Sequence, residues 1–310
     1  MINQLFSAAT LIGIIASGIR LATPYLYATI GETFGQRSGL LNLGVDGIML
    51  MGAYAAFFTT FKTGSPVLGL LAAITIGGIM GLSMAFISIT LKAEQGISGI
   101  GVYLFGLGMS NLLFRKMLGT VETVSGFSSI HFPFLSDIPV IGPIFFNHNL
   151  LVYGAFVLVP ISWFVLNKTT LGLKIRAAGE NPEAADSLGV SVERVRYFAE
   201  TLGGVLAGVA GASLSIALLN VFQQNLTNGI GFIAVALVYF GRWRMMGALA
   251  GSMLFSTVNA LQLWMQVLGV PIPPDFAVMM PYVLTILVLA FTAGRVRAPA
   301  ALSKPFERGD

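Results

Sequence analysis

Long apolar stretches alternate with short polar ones along the chain, and the charges mark the boundaries. Residues 66–91, 97–114, 149–167, 201–241, 245–274 and 276–294 contain no Asp, Glu, Lys or Arg. Crossing a hydrocarbon core of ~30 Å takes about 20 apolar residues in a helix. Each run supplies one crossing, and the longest has residues enough for two. Only helices and closed barrels satisfy the backbone in lipid. These runs are continuous and rich in Leu, Ala, Gly and Ile rather than alternating, which predicts helices. Crossings fall near 43–61, 66–91, 97–116, 149–167, 197–220, 247–267 and 277–294. The piece "GIGFIAVALVYFG", 229–241, is short for a full crossing and reads as a half-helix or a tilted span. Residues 4–35 are interrupted by Arg20 and Pro24. They read as one long tilted helix or as a helix followed by a re-entrant turn. The fold class is all-α, a polytopic integral membrane protein of eight to ten transmembrane helices in a single domain over 1–310.

The basic residues orient these crossings, because cytoplasmic loops carry excess Lys and Arg. With the 168–196 loop inside and strict alternation, thirteen of the 17 Lys and Arg fall inside, including Arg37, Lys92, Lys168, Arg176, Arg196, Arg244 and Lys304. Lys62, Arg115 and Lys116 fall outside, and Arg20 is unassigned. Residues 118–148 then form the longest external loop, and 295–310 a cytoplasmic tail. The N-terminus lacks a basic leader and a cleavage site, and reads as a retained first membrane segment.

Composition narrows the possible chemistry. Only 10% of the 310 residues are charged, against about 25% in soluble domains. There is no cysteine, so Cys-based metal, redox and disulfide sites are excluded. A formal charge of +4 held in membrane loops implies no nucleic-acid partner. His131 and His148 both lie in the 118–148 loop without convergent carboxylates, which makes a poor metal site. Both read as loop surface. Small residues recur at four-residue spacing, at Gly77/Gly81, Gly204/Gly208 and Gly247/Gly251. That spacing lets membrane helices approach closely and reads as packing within the chain.

One stretch does not fit its neighbours. "KIRAAGENPEAADSLGVSVERVR", 174–196, is polar and charged. Asn181 is a strong N-cap and Pro182 suits the first helical position. Glu183 sits in the first turn, where the helix dipole favours negative charge. Ala184, Ala185 and Leu188 are expected to share a face, Gly189 offers a left-handed stop, and Ser191 can cap the next helix. The result is a stand-alone helix of about two turns, marginal by itself in water. It needs a partner surface, either its own protein's cytoplasmic face or another subunit.

The motif "GENPEAADSLGVSV" resembles the coupling-helix loop of ATP-binding cassette (ABC) importer permeases. "GETFGQRSGLLNLGVDGIMLMGAYAA" (31–56) is similar to a signature of the branched-chain amino acid, ribose and nucleoside permeases. "GIGFIAVALVYFGRWRMMGALAGSMLF" (229–255) and "PYVLTILVLAF" (281–291) resemble the smaller permease of the nucleoside and simple-sugar type. The resemblance runs from about residue 18 to 295. It departs at Arg244-Met245-Met246, where the family often has a small or polar residue and Pro, and at Asp46, where it often has Glu.

The resemblance implies an importer permease whose Glu180, Asn181, Pro182, Glu183, Ala184, Ala185, Leu188 and Gly189 couple it to a separate ATPase. The chain has no Gly-x-x-x-x-Gly-Lys loop, so ATP and Mg belong on that subunit, and this chain binds no cofactor directly. The other implied partners are a second, longer homologous permease, an external solute-binding protein or lipoprotein, and the lipid of a bacterial inner membrane. The implied solute is a nucleoside, with ribose- or galactose-like sugars and riboflavin as alternatives.

Polar groups at membrane depth are costly and mark functional candidates. Asn42 and Asp46, i and i+4, would share a helix face and serve either as pathway lining or as an inter-helix hydrogen bond. Asn111, Asn259 and Gln262 offer amides to a solute's ring edges and hydroxyls. Phe232 is a candidate wall, although interior packing explains such an aromatic more simply. Asn220, Gln223, Gln224, Asn225 and Asn228 read as an outer vestibule or a solvated turn. The competing class is a secondary transporter or channel, which favours inverted repeats and buried titratable chains. Neither a repeat nor a buried titratable chain beyond Asp46 stands out in the sequence. The missing nucleophiles and metal ligands argue against a membrane enzyme.

Overall fold

A computed structural model describes residues 7–269, 273–292 and 297–307. Residues 4–6 of the first predicted segment, 293–294 of the last crossing, and 295–296 and 308–310 of the tail lie outside the described residues. The alternatives for the first segment resolve into one helix, α1 (Ala8–Arg37), 30 residues long, about 45 Å at 1.5 Å per residue. The Ser7 hydroxyl caps it by accepting from the Thr10 N–H. Pro24 is buried inside it, as membrane helices allow when neighbours cover the freed backbone.

Local signals set most of the other helix ends. α2 (Val45–Thr63) stops at Gly64 in the left-handed region, φ 70°. Ser65 caps α3 (Pro66–Ala85), which has Pro at its first position and runs on through a π-helical turn, Phe86–Thr90. The Glu94 carboxylate caps α4 (Gln95–Met117) by accepting from the Ile97 and Gly96 N–H groups. Those bonds hold its carboxyl below the ordinary range. In the 118–148 loop, β1 (Ser129–His131) pairs antiparallel with β2 (Asn147–Asn149), Ser129 opposite Asn149, and the short α5 (Ile141–Phe145) lies between them. Asn149 caps α6 (Leu150–Lys168) and Thr169 caps α7 (Thr170–Glu180). Then come α8 (Pro182–Ser187), α9 (Val192–Ser213) with its π turn Leu214–Leu218, α10 (Ile230–Phe240), α11 (Met245–Val267) and α12 (Pro274–Thr292).

Among the described residues, α1, α2, α3, α4, α6, α9, α11 and α12 each have 19 or more residues. Five of these, with the π turns added to α3 and α9, are long and apolar enough by themselves to cross a membrane. The chain is an all-α, multi-pass membrane protein. α9 is the central post, packed on α1, α2 and α3. Its contact with α3 is backbone to backbone. A Cβ added at Gly81 would lie 2.8 Å from the Gly204 Cα, and one at Gly208 would lie 3.0 Å from the Gly77 Cα. The small residues at four-residue spacing therefore serve packing within the chain.

The histidines correct one expectation. His131 is exposed and lies 3.7 Å from Asp137, but His148 is buried, its Nε2 2.7 Å from the Ile144 carbonyl oxygen. Burial pushes the His148 imidazole below its usual range, against the opposing pull of that carbonyl bond.

Basic residues gather at one end. Arg37 lies 3.8 Å from Glu180 and donates to the Trp243 carbonyl, and Lys92 pairs with Glu307. Arg196, expected in a loop, is buried in the first turns of α9 and donates to the carbonyls of Ser38 and Lys304. The tail folds back over this end. The Ala301 N–H donates to the Gly179 carbonyl and the Ser303 N–H to the Gly39 carbonyl, while Phe306 packs against the main core.

Candidate functional site

The 229–241 piece is a half-helix. After α9 the chain stays with the 118–148 loop, where the Val124 N–H donates to the Asn220 carbonyl and Thr123 bridges to Val221. From there it runs inward without helix, past Phe222, whose ring meets those of Tyr54, Phe57 and Phe114. Non-helical backbone at membrane depth survives only when protein covers it or it lines a water-filled cavity; Phe222, Leu226 and Thr227 are buried, while Gln223, Gln224, Asn225 and Asn228 are exposed. Asn225 (φ 55°), Asn228 (φ 44°) and Gly229 (φ 85°) make the left-handed turns that aim α10 back toward the basic end. The N-terminus of α10 meets Asp46. The Gly231 N–H donates to the Asp46 carboxylate at 2.8 Å, and the Thr227 hydroxyl donates to its other oxygen at 3.0 Å. Asp46 packs deep. The next residue, Gly47, presses on Tyr103 and Gly106 of α4, about 12 Å or more from that helix's start at 1.5 Å per residue. At the far end of α10 the Trp243 indole N–H donates to the Gln36 side-chain oxygen. An orphan helix N-terminus thus lies inside the membrane domain, satisfied by a carboxylate from another helix.

A cavity of about 210 Å³ opens beside this N-terminus, between α1, the 226–233 turn, α11 and α12. Tyr25, Phe255 and Tyr282 form an aromatic chain along it, with ring centroids 5.1 and 6.1 Å apart. Asn228, Asn259 and Gln262 bring amides to the same wall, and among the described residues no ionisable carboxyl, amine, guanidinium or imidazole lines it. Its size is below the ~300–1,000 Å³ usual for drug-sized ligands, so it suits a single small solute. The structure brings the predicted Asn259 and Gln262 together here and leaves Asn42, Asp46, Asn111 and Phe232 outside the wall. Phe232 instead meets the Tyr103 ring edge-on at 5.0 Å. The side-chain oxygen of Asn111 is buried without a partner. Asn42 and Asp46 do not share a helix face, because α2 begins at Val45 and Asn42 lies in the turn before it.

That turn carries a network that sequence reasoning missed. The Asn42 side-chain amide donates to Glu200 at 2.7 Å, and its backbone N–H donates to Glu32 at 3.1 Å. Glu32 also accepts from Gln36 at 3.0 Å, and the Asn42 side-chain oxygen accepts from the Gly44 N–H. Glu32 and Glu200 are both buried, so Asp46 is not the sole buried carboxyl. Two signals pointed here: Glu32 and Gln36 at i and i+4, and Glu200 at the edge of the longest charge-free run.

In the insert, Asn181 caps α8 by accepting from the Ala184 N–H at 3.0 Å, and Gly189 takes φ 81°. Two expectations change. Ala184, Ala185 and Leu188 do not act as one face: Ala185 turns inward while Ala184 and Leu188 (85% exposed) point out. Ser191 stands at the start of α9 but its side chain makes no capping bond. The insert also begins earlier than expected, with α7, and a cleft of about 480 Å³ separates α8 from the tail. Among the described residues, no group of three or more potential metal ligands converges.

Comparison with known proteins places this arrangement. The putative glucose ABC transporter permease protein TsgC13 of Haloferax volcanii is 36% identical over 96% of this chain and 98% of its own length. In Bacillus subtilis, the guanosine ABC transporter permease protein NupQ is 34% identical over 96% of this chain and 97% of its own. NupP of the same bacterium, also a guanosine ABC transporter permease protein, is 26% identical over 91% and 84%. No solved structure matches. The family described as "Branched-chain amino acid transport system / permease component" matches residues 14–289, the whole span from α1 through most of α12, and the chain belongs to that family of membrane transport permeases.

Proposed function

We propose that the chain is one membrane half of an ATP-driven importer in a bacterial inner membrane, carrying a nucleoside or chemically similar solute delivered by an external binding protein. The observation that carries this reading is the cavity beside the α10 N-terminus. Its aromatic wall offers faces to a base, and its amides offer donors and acceptors to ring edges and sugar hydroxyls. The absence of charge among the described residues of that wall favours a neutral solute. Guanosine in the name of NupQ supports a nucleoside, and glucose in the name of TsgC13 supports a sugar as the second reading. A second permease completes the path, because two distinct guanosine permease proteins of one bacterium both resemble this chain.

ATP hydrolysis belongs to a separate subunit, which grips α8 through Glu180–Gly189. The excess of basic residues at that end supports a cytoplasmic position for it. Two experiments test the reading. Replacing Glu183–Leu188 with Gly and Ser is expected to abolish uptake and release the ATPase while the membrane fold survives. Undiminished co-purification of the ATPase overturns the docking assignment. Asn259→Ala and Gln262→Ala are expected to change uptake of radiolabelled guanosine without changing assembly. Wild-type uptake in both variants removes these amides from the path.

A further inference from the structure

A second cavity, of about 480 Å³, lies at the basic end between α6, α7 and the start of α11. Its cations are Arg37, Arg176 and Arg244. Arg176 and Arg244 both lie within electrostatic reach of Arg37, so each repels it. Arg37 has a carboxylate nearby, Glu180 at 3.8 Å, but among the described residues no carboxylate pairs with Arg176 or Arg244. Three guanidinium groups around one hollow, with one half-exposed carboxylate beside them, make the hollow attractive to an anion. The rest of the wall is amphipathic. Trp163 (41% exposed) and Met246 (59% exposed) stand at its edge, and Trp243 is buried behind it. Trp at the boundary between helix and polar end is the residue of the membrane interface, and basic pockets between helices on that side recognise anionic headgroups. Arg244 and Met246 also fall in the Arg244-Met245-Met246 step, which the transport cycle has not accounted for.

We propose that this cavity binds the phosphate of an anionic membrane phospholipid. Arg176 and Arg244 grip the phosphodiester through their planar donor forks, and the acyl chains lie along Trp163 and Met246. The bound lipid neutralises the end of the molecule where α1, α7 and α11 converge and braces α7, the helix that leads into α8. Free phosphate offers the same anion without the chains, and the experiment separates the two.

The chain has three tryptophans, and Trp264, hydrogen-bonded to Ser17, lies away from the cavity. Trp264→Phe therefore leaves both remaining fluorophores at the site. The purified variant, in phosphatidylcholine vesicles, is titrated with dibrominated phosphatidylglycerol or dibrominated phosphatidylcholine at equal mole fraction. Phosphatidylglycerol is expected to quench several-fold more strongly, and Arg176→Gln with Arg244→Gln to erase that excess. Quenching by the phosphatidylcholine probe reports whether the variant is still folded in the bilayer. Equal quenching by the two lipids overturns the proposal, as does an excess that survives the double substitution. Equal quenching by the two lipids, together with a change in tryptophan emission on adding inorganic phosphate that chloride at matched ionic strength does not cause and the double substitution abolishes, assigns the site to a small phosphate and overturns the lipid assignment.

Discussion

Asn42 ties three parts of the chain together. It accepts one bond from the turn it sits in and donates one to α1 and one to α9, and it is buried together with both carboxylates. A buried amide left without its acceptor costs about 1–3 kcal/mol. Glu200→Ala removes the acceptor of the Asn42 side chain and is expected to lower stability by that amount, read as a drop in melting temperature in detergent. Glu200→Gln keeps a carbonyl oxygen at the same reach and is expected to cost clearly less. Equal losses in the two variants would mean that the Asn42 bond contributes nothing and that only the volume of the side chain matters. Asp46 has the same character: its carboxylate holds α10 by two bonds from residues far away in sequence.

Helices meet in this protein where side chains are missing. α9 touches α3 through Gly204 and Gly208 against Gly77 and Gly81, so a methyl group at Gly204 has nowhere to go. Overpacking of this kind costs about 1–3 kcal/mol, and Gly204→Ala is expected to lower the melting temperature and the folded yield. Gly101, on α4, has open space around its position, and Gly101→Ala is expected to be neutral or to stabilise by up to about 1 kcal/mol through helix propensity. A Gly204→Ala protein as stable as Gly101→Ala would show that the seam tolerates separation. The same contrast explains what the sequence made legible. Helix ends at Gly64, Asn181 and Gly189 follow from residues within a few positions of the break, so they could be read directly. The Gly spacing revealed the seam, though not its partner. The depth of α10 could not be read, because Asp46 stands 185 positions from Gly231. α7 was hidden because Leu171, Ile175 and Ala178 lie among charges that made the segment look like loop. Of the site, the amides Asn259 and Gln262 stood out as isolated polar groups in an apolar run. Tyr25, Phe255 and Tyr282 did not, since an aromatic in a membrane helix is ordinary until its neighbours are known.

At the scale of the whole molecule, the tail converts separate helix ends into one body. Residues 297–307 bond to Gly179 at the base of the insert, to the turn that carries Asn42, to Arg196 in α9 and to Lys92 after α3. In the proposed cycle a push on α8 has a backbone route to the Asn42 network, through Gly179, Ala301, Ser303 and Gly39, and from Asn42 it is four residues to Asp46 and the α10 N-terminus. Removing residues 298–310 deletes these bonds, each worth about 0.5–1.5 kcal/mol net, together with the packing of Phe306. The truncated chain is expected to insert in the membrane and to keep its cavity, since no described tail residue lines it. Its melting temperature is expected to fall by several degrees, and its ATP-driven uptake to fall further than stability alone explains. Phe306→Ala separates the two effects: it loosens the anchor while leaving the bonds to Gly179 and Gly39, so it should lower stability with a smaller loss of uptake. If full-rate uptake survives deletion of the tail, movement of α8 reaches the membrane helices through α7 and α9 alone, and the tail is only a brace.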